Sequence, residues 1–282
     1  MKNTLFTAFQ YLVPQHALSR LVGNLAEAEN KAIKNWLIQR FINSYGVNMA
    51  ESLRKTPDEF RCFNDFFTRE LEDGARKISS DINHIVSPAD GAISQLGDIE
   101  NGRIFQAKGQ SFTTGELLGG DHETAALFSR GKFATIYLSP KDYHRVHMPL
   151  DGKLISMSHV PGDLFSVNQA TAENVPRLFA RNERICCLFE TPIGPMVMVL
   201  VGAMIVASIE TVWSGLITPQ KKTVRHWNYK TPETIELKKG EEMGRFKLGS
   251  TVVLLLPKNV EFDDRYEATT PLRMGEQLAT FE

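Results

Sequence analysis

Two histidines three residues apart, His144 and His147, lie in the stretch Tyr143-His144-Arg145-Val146-His147-Met148-Pro149. An imidazole titrates near neutrality, so either ring could serve as a general acid or base. The pair could also begin a metal site, but no third ligand of suitable spacing lies nearby. Ser139-Pro140 reads as a helix start, and a short helical turn running into a strand near His147 would aim both rings into one pocket. The plain alternative is two half-exposed histidines at a turn. A second element, Ser87-Pro88-Ala89-Asp90-Gly91, supplies a carboxylate, although Asp-Gly after a strand reads first as a hairpin turn. A third, Ser208 to Gly215, puts Glu210 and Trp213 at what reads as an ordinary strand end. The fourth is Leu248-Gly249-Ser250-Thr251, ahead of an apolar run. A Gly-Ser step usually marks a turn. A glycine there also leaves its carbonyl open to attack by the Ser250 hydroxyl and tolerates strained backbone, which is what an intramolecular acyl shift requires.

The elements that must position these residues fall into two zones. Leu5, Phe6, Phe9, Leu12 and Val13 share one helical face, and Pro14 ends that segment. Leu18, Leu21, Val22 and Leu25 repeat the spacing, and Ile33, Trp36, Leu37 and Phe41 begin a further amphipathic helix ending near Gly46. These helices either pack on a core or lie in a membrane interface, and periodicity alone leaves both readings open. Thr56-Pro57-Asp58-Glu59 is a capping-box start, predicting a helix that carries Phe60, Phe63, Phe66, Phe67 and Leu71 as a core stripe. From about Ile85 the pattern changes to short strands separated by turn residues. Strands are expected at 92–96, 133–138, 154–157, 185–190 and 251–256, with a buried strand pair over 196–209. The fold class is therefore α+β: N-terminal amphipathic helices followed by a β-rich body.

Composition narrows the function classes. The 282 residues carry 32 Lys and Arg against 33 Asp and Glu, a net charge of −1, which removes the main electrostatic argument for a nucleic-acid partner. Cys62, Cys186 and Cys187 have neither disulfide-framework nor zinc-ligand spacing and read as core thiols. The apolar run from Met196 to Ile209 has 14 residues, too few for a spanning helix, and the N-terminus is a poor signal peptide. No P-loop or dinucleotide fingerprint occurs.

Taken in order, several motifs resemble the bacterial phosphatidylserine decarboxylase proenzymes. They are Asn64 to Leu71 (NDFFTREL), Pro88 to Gly91, Gln106-Ala107-Lys108-Gly109, His144 to His147, Val160 to Asn168 (VPGDLFSVN), Gly202 to Gly215, and Leu248-Gly249-Ser250-Thr251. Each is weak alone, but the ordered set covers nearly the whole chain and is very specific.

The resemblance implies a self-processing enzyme. Asp90 would orient His147, and His147 would take the proton of Ser250 as that hydroxyl attacks the Gly249 carbonyl. Cleavage of the Gly249-Ser250 bond would leave a β chain, 1–249, and an α chain, 250–282, associated as a heterodimer, with a higher oligomer left open. Ser250 would become a pyruvoyl group that forms a Schiff base with the substrate amine and acts as electron sink, with no pyridoxal phosphate and no metal. His144 would be the candidate proton donor after CO2 leaves. The substrate would be phosphatidylserine and the product phosphatidylethanolamine. Residues 1–55 would form a helical membrane-associating segment and 56–282 the catalytic domain, peripheral to the cytoplasmic side of the cell membrane. Two other classes share some of these features. A Ser-His-Asp hydrolase would need a Gly-x-Ser-x-Gly elbow, which Ser250 lacks, and a carrier-like β module would not cut itself.

Overall fold

A run such as Val252-Val253-Leu254-Leu255-Leu256 has no polar face, so as a strand it must be covered on both sides. The computed structural model describes residues 10–11, 13–107, 109–204, 208–218, 223–229, 234–247 and 250–281, and in it that requirement is met. The strand Ser250–Leu256 pairs antiparallel with Lys132–Leu138 on one flank and Gly194–Val201 on the other. It lies near the middle of a sheet that counts nine strands among the described residues. Across this sheet the order runs Arg225–Asn228, Gly152–Val160, Arg184–Thr191, Gly194–Val201, Ser250–Leu256, Lys132–Leu138, Gly91–Asp98 and Pro271–Leu272, with Glu236–Leu237 also pairing to Gly152–Val160.

Alternation assigns the two faces. Val253 and Leu255, with Val197, Val199 and Val201, join a core built with Phe60, Phe63, Phe66, Phe67 and Phe128. Val252, Leu254 and Leu256, with Met198 and Leu200, join a second core with Val146, Ile209, Met243 and Phe246. The last four belong to a smaller sheet ordered Gly215–Leu216, Ser208–Thr211, Glu242–Lys247 and Arg145–His147. That second sheet places the histidine strand against one face of the large one.

The expected α+β architecture is present, with corrections of detail. The capping box at Thr56 forms, with Glu59 Oε2 accepting from the Thr56 N–H at 2.7 Å, but it starts only the 3-10 turn Pro57–Glu59. Phe60 and Cys62 are extended, and the aromatic stripe continues on a separate helix, Phe63–Phe67. The stripe is core as expected, and Phe41 meets Phe63, Phe66 and Phe67 edge-on. The run over 196–209 yields Gly194–Val201 and Ser208–Thr211, which lie in different sheets and do not pair with each other. Asp90-Gly91 is not a hairpin turn. It carries the chain from His84–Val86, in a three-stranded sheet, to Gly91–Asp98 in the large one.

The helix Gln15–Ala26 and the helix Lys31–Tyr45 are present, the second closed by Gly46 in the left-handed conformation (φ 66°). Most of the expected 5–13 segment lies outside the described residues. Among those described, no helix is long and apolar enough to cross a membrane.

Candidate active site

Gly91 must be glycine because the strand it opens runs hard against its neighbour: a Cβ there would overlap the Tyr137 carbonyl oxygen. This close approach fixes Asp90 at the strand mouth, where it is buried. Its Oδ1 accepts from Arg76 Nε (2.8 Å) and the Met274 N–H (2.9 Å), and its Oδ2 accepts from Arg76 Nη2. Arg76 also pairs with Glu51 at 2.9 Å. Burial disfavours the guanidinium charge, but the bonds and charge of Asp90 and Glu51 outweigh it and hold Arg76 above its ordinary range.

His147 ends the strand Arg145–His147, anchored by its own N–H to the Pro88 carbonyl at 2.8 Å. Its Nδ1 lies 2.8 Å from the Gly240 carbonyl and its Nε2 lies 3.0 Å from the Tyr143 hydroxyl. A carbonyl can only accept, so Nδ1 carries the hydrogen and Nε2 receives the Tyr143 O–H. Burial lowers the His147 pKa and raises that of Tyr143, so both are neutral near pH 7. His144 is fully buried, its ring 4.0 Å from that of Phe67. Its Nδ1 donates to the Asp142 carbonyl (2.8 Å), and its Nε2 has no partner. Burial, aided by the nearby Arg69 charge, pushes its pKa down to about 3. His144 is thus a neutral imidazole whose Nε2 lone pair is buried and without a partner among the described residues.

Residue 250 is the first of its strand and sits opposite Leu138. Leu248, Gly249 and the Ser250 side chain lie outside the described residues. Leu138 leads directly into Ser139, and Tyr137, Ser139, Asp142 and Tyr143 line a cavity of about 570 Å³ together with Asp90, Arg76 and Arg69. Adjacent strands are about 4.8 Å apart, which puts the backbone of residue 250 one strand from this wall.

Asp90 and Tyr143 thus line the cavity at one end of the large sheet, with the backbone of residue 250 one strand away, while His144 and His147 are buried next to Tyr143 and are not part of the lining. The structure does not bond Asp90 to His147. Arg76 takes the place at Asp90 expected of His147, and the role expected of Asp90, holding the tautomer of His147, falls to the Gly240 carbonyl. Tyr143, Arg69, Arg76 and Gly240 were not singled out by sequence reasoning. Tyr143 and Arg69 lie inside the motifs quoted above, whereas Arg76 and Gly240 carry no local signal. Glu210 lies in the smaller sheet and pairs with Lys247 at 3.4 Å. Among the described residues, no three His, Cys, Asp or Glu side chains form a metal-holding group.

Comparison with known proteins bears on what this end of the sheet does. A family model described as phosphatidylserine decarboxylase matches residues 63–280, and one described as PSD matches 5–46. A phosphatidylserine decarboxylase proenzyme of Hahella chejuensis is 58% identical over 277 residues, covering 98% of this chain and 93% of that protein. The proenzyme of Saccharophagus degradans is 56% identical over 283 residues, covering 100% and 99%. That of Pseudomonas aeruginosa is 57% identical over 281 residues, covering 99% and 97%. With the family model spanning the whole β-rich body and relatives of this identity running nearly end to end, the chain belongs to the phosphatidylserine decarboxylase family and is an enzyme, a decarboxylase.

Proposed function

We propose that the chain cuts its own Gly249-Ser250 bond through an ester on the Ser250 oxygen, that elimination of this ester and hydrolytic loss of the residue 250 nitrogen as ammonia leave a pyruvoyl group there, and that this group serves to decarboxylate phosphatidylserine to phosphatidylethanolamine. The observation that carries this reading is the place of residue 250: first in a strand bonded on both flanks, one strand from a charged cavity. A chain end created there stays seated. The part beyond the cut supplies Ser250–Leu256 to the large sheet, Pro271–Leu272 to its edge, and Val260–Phe262 and Gln277–Phe281 to the sheet begun by His84–Val86. Two fragments so interleaved hold together without a covalent bond, as a heterodimer.

In the cut, His147 accepts the Ser250 proton at Nε2, the nitrogen now bonded by Tyr143, while the Gly240 carbonyl keeps the other nitrogen protonated. Asp90 acts at longer range, its negative charge favouring the imidazolium that forms. In turnover the pyruvoyl group supplies an electrophilic carbonyl and electron sink. His144 does the proton work. Its Nε2, which has no partner among the described residues, is the atom we assign to returning the proton shed by the headgroup ammonium to Cα once CO2 has left, a role its lowered pKa allows only where the anionic headgroup favours the imidazolium. Loss of CO2 release and of cleavage in Ser250→Ala tests the reading; an uncut, active variant would sink it.

Membrane contact is part of the same proposal. The helix Gln15–Ala26 docks through polar side chains: Gln15 Oε1 accepts from the Leu164 N–H (2.7 Å), and His16 Nε2 bonds the Gly162 carbonyl (3.0 Å). Val22 and Ala26 pack on the core, but two leucines of this helix turn outward, Leu21 69% and Leu25 47% exposed, and Trp36 on the next helix is 63% exposed. Apolar residues left outside while polar ones are buried support an interfacial helix on a lipid surface. The cytoplasmic face is the one we assign to it.

A further inference from the structure

Among the described residues four arginine side chains are largely buried, and three of them are satisfied. Arg76 has Asp90 and Glu51, and Arg145 has Glu70, Glu242 and the Thr68 carbonyl. Arg184 donates from all three nitrogens to the carbonyls of Leu117, Asn182 and Glu116. Arg69 is different. It is 3% exposed, yet only Nη2 has partners, the Lys141 carbonyl at 3.1 Å and the Asp142 carbonyl at 3.4 Å. Nε and Nη1 have none, and among the described residues no carboxylate pairs with it. Burial lowers its pKa to about 10, which still leaves it charged at neutral pH.

A buried cation with idle donors is costly unless something completes it. Arg69 lines the same cavity as Asp90, and so does Ser139, whose buried hydroxyl also has no partner. The four acids of this wall are already engaged: Asp90 by Arg76 and the Met274 N–H, Glu51 by Arg76, Asp142 Oδ2 by the Ser139 N–H (2.7 Å), and Glu276 by the Arg273 N–H (3.1 Å). Arg69 Cζ lies 5.6 Å from the centre of the Phe66 ring, but Nε and Nη1 are left without an acceptor among the described residues.

Resting on the decarboxylase reading above, we propose that Arg69, assisted by the Ser139 hydroxyl, binds the phosphodiester of the phosphatidylserine headgroup. The headgroup offers two anions, its carboxylate and its phosphodiester. The carboxylate surrenders its charge as CO2 leaves, so an arginine on it would stabilise the ground state more than the transition state and slow the reaction. The phosphodiester keeps its charge throughout, and the idle Nη1 or Nε of Arg69 offers one of its free oxygens a charge-assisted hydrogen bond, Nη2 being held by the two carbonyls. Only three atoms separate the headgroup nitrogen from phosphorus, a span that fits a wall one strand from residue 250. Arg69 is therefore a substrate-binding residue whose grip is the same in substrate, transition state and product.

The test measures CO2 release from phosphatidylserine in detergent mixed micelles, with phosphatidylethanolamine as competing product. Arg69→Ala should still cut itself, keep kcat within a few-fold, and raise KM about 10- to 100-fold, the worth of a charged hydrogen bond. The inhibition constant of phosphatidylethanolamine should rise by the same factor, because the product retains the phosphodiester but has lost the carboxylate. Added guanidinium ion should recover part of both losses. Should Arg69→Ala not fold, Arg69→Lys, which keeps the charge and loses the fixed direction of the guanidinium donors, carries the same paired comparison with a smaller rise. A higher KM with an unchanged inhibition constant would assign Arg69 to the carboxylate, and two unchanged constants would leave it structural; either overturns the proposal. Wild-type protein that releases no CO2 would instead overturn the decarboxylase reading itself.

Discussion

The Tyr143 hydroxyl donates to His147 Nε2 across 3.0 Å, while the opposite nitrogen of the same ring is pinned to the Gly240 carbonyl at 2.8 Å. The base nitrogen of the proposed relay is thus held by a phenol, and its tautomer is set by main chain, not by Asp90.

This pairing predicts a shifted pH profile. A donor on the Nε2 lone pair stabilises neutral imidazole, so Tyr143→Phe removes that stabilisation and raises the His147 pKa. Self-cleavage needs the neutral base, so the acid limb of its rate profile should move to higher pH. Gel-resolved cleavage of fresh precursor across pH 5 to 8 measures this. An unmoved limb would mean His147 is not the base.

The two histidines should separate by step. His147→Ala should accumulate uncut precursor. His144→Ala should cut normally yet turn over phosphatidylserine about 10²- to 10⁴-fold more slowly, the usual contribution of a general acid–base group. Asp90→Asn should slow cleavage less than His147→Ala, since no hydrogen bond joins Asp90 to the ring. Paired cleavage and CO2 assays of each variant decide, and the opposite pattern for the two histidines would reverse the assignment.

Much of this arrangement was legible beforehand, and the limit is instructive. The strands at 132–138, 184–191 and 250–256 announce themselves because an apolar run covered on both faces tolerates almost no polar residue. His144, His147 and Asp90 stood out as the residue types able to move protons. The partners of those residues did not stand out. Arg76 reaches Asp90 across 14 positions and Gly240 reaches His147 across 93, and no local pattern encodes a contact made by chain crossing. The helix predicted after Thr56 stopped short because packing of Phe60 in the core outweighed local propensity.

Buried neutral histidines make the fold acid-sensitive. The pKa of His144 is lowered to about 3 in the folded chain from an unfolded value near 6.5, and that of His147 is lowered as well. Below pH 6.5 the unfolded chain therefore binds more protons, and stability is lost as pH falls towards 3. Each such group contributes a slope of up to about 1.4 kcal/mol per pH unit. Urea midpoints measured from pH 7 to 4 should fall steeply, and His144→Gln should flatten the curve. A flat wild-type curve would contradict the buried, neutral assignment.

Removing residues 1–26 should weaken binding to liposomes containing anionic lipid more than it weakens self-cleavage, because the exposed Leu21 and Leu25 go with that segment. Sedimentation with liposomes and a cleavage gel on the same preparation measure both. Unchanged partition would return these helices to a purely packing role.

The central claim is that residue 250 becomes the working end of a cut chain, and the intact mass of purified, active protein tests it most directly. The account predicts two polypeptides, 1–249 and 250–282, the second beginning with a pyruvoyl group and lacking a free amino terminus, and a single uncut chain for Ser250→Ala. Full decarboxylase activity from one continuous 282-residue chain would contradict it.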